Sequence, residues 1–324
     1  MTALNFDYLI EKVRYAPFEK VPFRHIYIEN FFEQSHFNKI IESVEVSSPS
    51  CKTDEDLIDA LENKGFTPIN FPGTTTNVSN YLEARKLGMS IGKSKLCEGV
   101  GVVMRQQKFQ TEIIQALTSF LFGEEFNKVV AEKFGIKFEE CRIDGGIQKY
   151  LDGYEISPHP DIRSKATTFM ININPSAISE NLNHHTHYCD LKPEYSYLHE
   201  FWENNQDIDR CWVPWNWTTT SKQQTKNNSI VLFAPSSFSM HAVKAEYNHL
   251  ISQRTQLYGN LWFKNPVPAR RVDWQSIDIR TRQISTDEHK KQKNIKLSIE
   301  DVIHLLRNIK KSNPEVAHKL KTIL

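Results

Sequence analysis

Period-two alternation is the feature that most restricts what this chain can fold into. In IRSKATTFMININP, Phe169, Ile171 and Ile173 fall on one parity, and Thr168, Met170 and Asn172 on the other. Side chains two apart in an extended backbone point the same way, so this run predicts a strand with two different faces. RTQLYGNLWF repeats the pattern, with Arg254, Gln256 and Tyr258 sharing a face. NNSIVLFAP, from Asn227, is a short apolar run of the buried-strand type, stopped by Pro235. Upstream, IQKYLDGYEISPHPD carries Asp152-Gly153 between two strand-like runs. That dipeptide predicts a hairpin, with His159 near the end of the returning strand and Pro160 at its edge.

At that strand end, His159 and Asp161 are two residues apart and can grip one ion together. His241, in SFSMHAV, supplies a third ligand. Two imidazoles and one carboxylate leave the other coordination positions open, a donor set suited to non-haem Fe(II). Twelve histidines make an accidental HxD easy, so context must carry the reading. Arg254 supplies some of it. An arginine opening a strand on its polar face suits a carboxylate, because the guanidinium fork bonds both oxygens at once.

The order Tyr150, His159-x-Asp161, His241, Arg254 resembles the Fe(II)/2-oxoglutarate-dependent dioxygenases, especially the prolyl-4-hydroxylase-like branch. The resemblance implies an α+β fold with a mainly β core, a double-stranded β-helix or jelly roll backed by N-terminal helices. It implies that His159, Asp161 and His241 are catalytic and hold Fe(II), while Arg254 and Tyr150 bind the far carboxylate of 2-oxoglutarate. O₂ is the implied oxidant, ascorbate an implied reductant, and succinate and CO₂ the implied by-products of hydroxylating an unactivated C–H bond. Related halogenases lack the carboxylate, so Asp161 favours hydroxylation. The chain departs from the family pattern in two places. Arg254 lies thirteen residues after His241, implying a longer turn through AEYNHLISQ, and Gln256 stands where the family often has Ser or Thr. Lys244 is a weaker alternative anchor, too close to His241 and outside the strand pattern.

The expected substrate is a small molecule, lipid or sugar-type compound; a protein prolyl hydroxylase is the alternative. A reading of another class is a cupin-like metal protein or a catalytically silent jelly-roll binding module. Net charge of +1 offers no polyanion footprint, so nucleic acid is not an expected partner. Five cysteines without a CxxC fit free thiols in a reducing compartment. MTALNFDYLIEK has no apolar signal-peptide region and no run is long enough for a membrane span, so the cytoplasm is the expected location.

The chain divides into residues 1–139, a supporting region of helix and strand; 140–265, the jelly-roll oxygenase core; and 266–324, a charged connector followed by C-terminal helices. FRHIYIENFF predicts a strand entering a helix, EQSHFNKIIESV an amphipathic helix, and TEIIQALTSFLFGEEFNKVVAEKFGI two more. FTPINFPGTTTNVSNYLEARKLGMSIGKSK is turn-rich and suits a lid or a surface loop; its Gly88–Ser94 segment lacks the spacing of a phosphate loop. Residues 176–226 form the expected insertion, with His184, His185, His187 and Cys189 in a solvated loop rather than a zinc site. Trp212, Trp215 and Trp217 are expected to pack in the core or to wall the pocket mouth. Arg163 and Lys165 follow the HxD closely and could touch substrate, but a solvated turn is the preferred reading. Ser298 caps LSIEDVIHLLRNIKK, whose stripe of Val302, Leu305, Leu306 and Ile309 would dock on the jelly roll or form a homodimer.

Overall fold

In the computed structural model, which describes residues 4–71, 73–87, 101–206, 208 and 211–266, the alternating runs pair into two antiparallel sheets. The chain begins with α1 (Tyr8–Tyr15), β1 (Ile26–Glu29), α2 (Gln34–Glu42), α3 (Asp54–Asn63) and β2 (Thr67–Pro68). Next come α4 (Val78–Lys86), β3 (Val103–Gln106), α5 (Glu112–Leu121) and α6 (Glu124–Phe134). The strands β4 (Cys141–Tyr150), β5 (Glu155–His159), β6 (Lys165–Asn172) and β7 (Thr186–Leu191) follow. Last are α7 (Tyr197–Asn204), β8 (Thr218–Gln223), β9 (Ser229–Phe233), β10 (His241–Lys244) and β11 (Arg254–Phe263). The large sheet runs β1-β9-β6-β11-β4-β3-β2 and the small one β5-β10-β7-β8.

The two parities of β6 go where the sequence sends them. Phe169, Ile171 and Ile173 join Ile147, Ile230, Leu232 and Leu257 in the main core, together with Ile113, Leu117, Phe126 and Val130 of the helices. Helix α5 buries Ile113, Ile114, Leu117 and Leu121, the spacing of one helical face. Gly135 ends α6 in the left-handed region at φ 71°, where glycine carries no Cβ penalty. Each fully buried Ile, Leu or Phe contributes roughly 1.5–3 kcal/mol over leaving it exposed. Phe169 is the keystone of the face. Its ring lies over Gly259, its cross-strand partner, and a Cβ there would meet the ring at 2.1 Å. Phe169→Ala would leave a cavity costing about 3–5 kcal/mol.

Two expectations change. Asp152-Gly153 is a turn, with Gly153 at φ 86°, but β4 and β5 do not form a hairpin. Both edges of β4 are already taken by β11 and β3, so the chain turns a corner into the small sheet, where β5 pairs with β10. The Gly153 N–H donates to the Ala245 carbonyl at 2.8 Å and pins that corner. The 176–226 stretch is not only a loop: β7 and β8 are half of the small sheet, and His184 and His185 are buried. Polar and histidine side chains on THYCDL hide a strand from an apolar-alternation reading. Residues 1–139, expected as a mix of helix and strand, give three strands to the large sheet, β1, β2 and β3.

Gly88–Ser94 and the C-terminal helices expected over 298–324 lie outside the described residues. Among the described residues, no helix is long and apolar enough to cross a membrane.

Candidate metal centre

Antiparallel pairing of β5 with β10 sets His159 directly opposite His241, with ring centroids 4.4 Å apart. Pro160 ends the ladder, and Asp161 follows on the same side as His159. One ligand atom from each of the three lies within 4.8 Å of the others, and all three residues are buried. Among the described residues no other three His, Cys, Asp or Glu side chains gather in this way. His184, His185, His187 and Cys189 therefore make no second cluster.

The imidazoles are held ready to ligate. His159 Nδ1 lies 2.8 Å from the Ser157 carbonyl, and His241 Nδ1 2.9 Å from the Ser239 carbonyl. A carbonyl only accepts, so each Nδ1 carries the proton and each Nε2 keeps its lone pair. Burial, and next the neighbouring His241, pushes the His159 imidazole down to about 3. Burial lowers His241 as well. Both rings are neutral at neutral pH, the form that binds a metal.

Asp161 is the anionic member. Burial alone would raise its carboxyl, but the Lys165 ammonium and then the two imidazoles outweigh burial and hold it well below the ordinary carboxylate range. Lys165 Nζ donates to Asp161 Oδ1 at 2.7 Å and to the Tyr258 hydroxyl at 2.7 Å. Thr168 donates to Asp161 Oδ2 at 2.6 Å. Lys165 is thus no solvated turn; it opens β6 and faces inward with 11 % of its side chain exposed. Sequence reasoning preferred the solvated turn to a place at the site because an ion pair four residues apart across a turn has no apolar periodicity. Arg163 does lie outside the cavity, its Nε donating to the Ile208 carbonyl at 2.9 Å and its guanidinium over Trp202.

The three side chains open into a cavity of about 370 Å³ between the two sheets. Arg254 is 2 % exposed and lines it. Its Nη2 donates to Thr186 Oγ1 at 2.7 Å, its guanidinium carbon lies 4.4 Å from the centre of the Tyr150 ring, and its Nη1 has no partner among the described residues. Tyr150 is the cross-strand neighbour of Arg254 and also lines the cavity. Turning the Gln148 amide lets its oxygen accept from Arg105 at 2.9 and 3.0 Å while its nitrogen donates to the Tyr150 oxygen. The Tyr150 hydroxyl proton is then free for a ligand. Lys244 pairs with Glu246 at 2.9 Å and does not line the cavity. Gln256 does line it, but its amide nitrogen is already committed to Asn172 at 2.8 Å.

The tryptophans divide. Trp212 lines the cavity with Phe71. Trp215 instead donates to Glu155 at 2.9 Å, and Trp217 stacks on Tyr195 at 4.5 Å. Asn260, Trp262 and Arg105 line the cavity too, and no sequence motif singled them out.

No protein-family model matches the chain, and no curated protein does. Similar solved structures include a prolyl-4-hydroxylase of Pseudomonas putida, 8 % identical with a TM-score of 0.41, over 80 % of this chain and 98 % of that one. A Trichoplax adhaerens prolyl hydroxylase, solved with a hypoxia-inducible-factor degradation-domain peptide, is 12 % identical with a TM-score of 0.42, over 80 % and 89 % of the two chains. AviO1 of Streptomyces viridochromogenes is 11 % identical with a TM-score of 0.36, over 83 % and 100 %. At this distance the likenesses decide nothing about activity, which has to be argued from the cavity itself.

Proposed function

We propose that this chain is an Fe(II)- and 2-oxoglutarate-dependent oxygenase built on a double-stranded β-helix. The carrying observation is the buried Arg254 guanidinium, with one amino group unpartnered, in the same cavity as the His159, Asp161 and His241 ligand atoms. A buried cation without a counter-charge is costly. A carboxylate is the ligand that removes the cost with a two-pronged hydrogen bond. A dicarboxylate with a 2-oxo acid at its other end meets both halves of the cavity. A plain cupin-type metal site gives Arg254 no role, which weighs against that alternative.

His159, Asp161 and His241 would hold the ion through two neutral imidazole nitrogens and a carboxylate oxygen. Bound iron supplies the oxidising power, with O₂, for hydroxylating an unactivated C–H bond as the co-substrate becomes succinate and CO₂. The protein contributes orientation: Arg254 and the Tyr150 hydroxyl fix the far carboxylate, so the 2-oxo acid end can meet the ligand atoms in one pose. Burial keeps those charge contacts strong by excluding water. Phe71 and Trp212 line the same cavity and would meet the prime substrate. A concave pocket of this size, with a few convergent polar groups, suits a small-molecule, lipid or sugar-type substrate better than an extended peptide.

The test is anaerobic addition of Fe(II) and 2-oxoglutarate, followed by visible spectroscopy. A weak charge-transfer band is expected, lost in His159→Ala and Asp161→Ala. Tight Zn(II) binding with no band from Fe(II) would overturn the oxygenase reading and favour the cupin-like one. Succinate release with a panel of small molecules and a proline-containing peptide then sorts the substrate class.

A further inference from the structure

We propose that Thr168 and Asn260 are positioning residues for Asp161. They form a relay in which the Asn260 amide donates to the Thr168 hydroxyl and that hydroxyl donates to the carboxylate. This rests on the reading of His159, Asp161 and His241 as a metal centre.

The argument starts from a single proton. Thr168 Oγ1 lies 2.6 Å from Asp161 Oδ2 and 3.1 Å from Asn260 Oδ1. A hydroxyl has one proton to give and two lone pairs to receive with. An ionised carboxylate can only accept, so the proton goes to Asp161, the nearer and stronger acceptor. The Asn260 oxygen then faces only a lone pair, while Asn260 Nδ2 is buried with no partner among the described residues. Turning the amide over gives its nitrogen an acceptor in the Thr168 hydroxyl, and the amide oxygen takes the nitrogen's former place, where no partner stands among the described residues. An amide's O and N are assigned from just such networks. Thr168 and Asn260 are cross-strand partners on β6 and β11, each about 1 % exposed, so the strand ladder holds the relay in place.

The relay acts on the oxygen turned away from His241. Asp161 Oδ1 is 3.8 Å from His241 Nε2 and takes the Lys165 ammonium. Oδ2 takes the Thr168 proton. With one donor on each oxygen, the carboxylate cannot rotate freely. Without Thr168, ordering it becomes part of the cost of binding an ion. Outer partners of metal ligands typically alter affinity by about 10–100-fold.

Co(II) is the probe, because it does not oxidise in air as Fe(II) does and its visible bands report ligand geometry. Titrations are run on wild type, Thr168→Val, Thr168→Ser, Asn260→Leu and the Thr168→Val/Asn260→Leu double variant, with a thermal melt of each in the absence of metal. Thr168→Val should weaken Co(II) binding by about 10–100-fold and change the band shape, and Thr168→Ser should restore both. Asn260→Leu should cost a smaller factor in the wild-type background and nothing further beside Thr168→Val, since it acts only through that hydroxyl. Unchanged affinity in Thr168→Val, or an equal Asn260→Leu cost in both backgrounds, overturns the relay. If Thr168→Val does not fold, failure of Asn260→Leu and of Thr168→Ser to order as stated decides the matter. A wild type that binds no Co(II) would instead overturn the metal reading itself.

Discussion

Lys165 Nζ lies 2.7 Å from Asp161 Oδ1, so the carboxylate of the ligand triad is paired inside the protein with a cation 11 % exposed. Removing one partner of a buried pair leaves an uncompensated charge and costs roughly 3–5 kcal/mol. Lys165→Met should therefore lower the melting temperature of the metal-free protein. A divalent ion would then replace the missing counter-charge and no longer be repelled by an ammonium. The melting-temperature gain on adding Mn(II) should thus be larger in Lys165→Met than in wild type, by the linkage of binding to stability. A smaller gain would mean that Lys165 supports the ion rather than competing with it.

Arg254→Leu separates the anchor from the metal site. Losing a buried charged pair costs about 2–5 kcal/mol, roughly 30-fold to several thousand-fold in 2-oxoglutarate affinity. Metal binding should be nearly unaffected, since Arg254 touches none of the three ligands. Lys244→Leu should do little, because Lys244 is tied to Glu246 outside the cavity. Calorimetry of 2-oxoglutarate and of Mn(II) on the two variants checks this; the reverse order of effects would remove Arg254 from the co-substrate site.

The site was legible where local geometry alone decides it. Two-residue spacing placed His159 and Asp161 on one side, and period two placed Arg254, Gln256 and Tyr258 on one face of β11. The closeness of His241 to His159 and the Tyr150–Arg254 contact depend on which strands pair, β5 with β10 and β4 with β11. For those, order along the chain was a sufficient hint. Other features follow from pairing with no local trace. Asp152-Gly153 is the same kind of turn in a hairpin and in a corner between sheets, so only the occupied edges of β4 tell them apart. The β7 run THYCDL buries Tyr188 and Cys189 but carries no apolar alternation. Thr168 and Asn260 are ordinary strand residues until the register sets them opposite one another.

The tryptophans predict two different phenotypes. Trp212→Ala should raise the KM for the prime substrate and release more succinate without hydroxylated product, because Trp212 lines the cavity. Trp215 and Trp217 face the cluster of Cys189, Val213, Met240 and Ala242. Their truncation should act on stability, by less than the roughly 3–5 kcal/mol of a fully buried ring, with coupling unchanged. A thermal melt paired with succinate and product assays reads both. Loss of coupling in Trp217→Ala with an unchanged melt would put that ring at the substrate too.

Lys149 should make stability depend on pH in a direction opposite to that of an ordinary salt-bridged lysine. It sits on β4 between Gln148 and Tyr150, facing away from the cavity and fully buried. Its Nζ donates to the Val46 carbonyl at 2.7 Å and to Thr255 Oγ1 at 3.0 Å, with no carboxylate partner among the described residues. Burial, then the charge of Lys64, holds its pKa well below the ordinary lysine range. The unfolded chain keeps that proton up to about pH 10.4. Between the two values the unfolded state carries more protons than the folded one, so stability rises with pH and levels off above the unfolded pKa. Lys149→Met loses this dependence and leaves the Val46 carbonyl without its donor at every pH. The stability of wild type relative to Lys149→Met, from urea unfolding, should therefore increase between about pH 7 and about pH 9.5. A difference that stays flat or falls would mean that the fold keeps Lys149 fully charged, and that its two acceptors solvate the ammonium as well as water does.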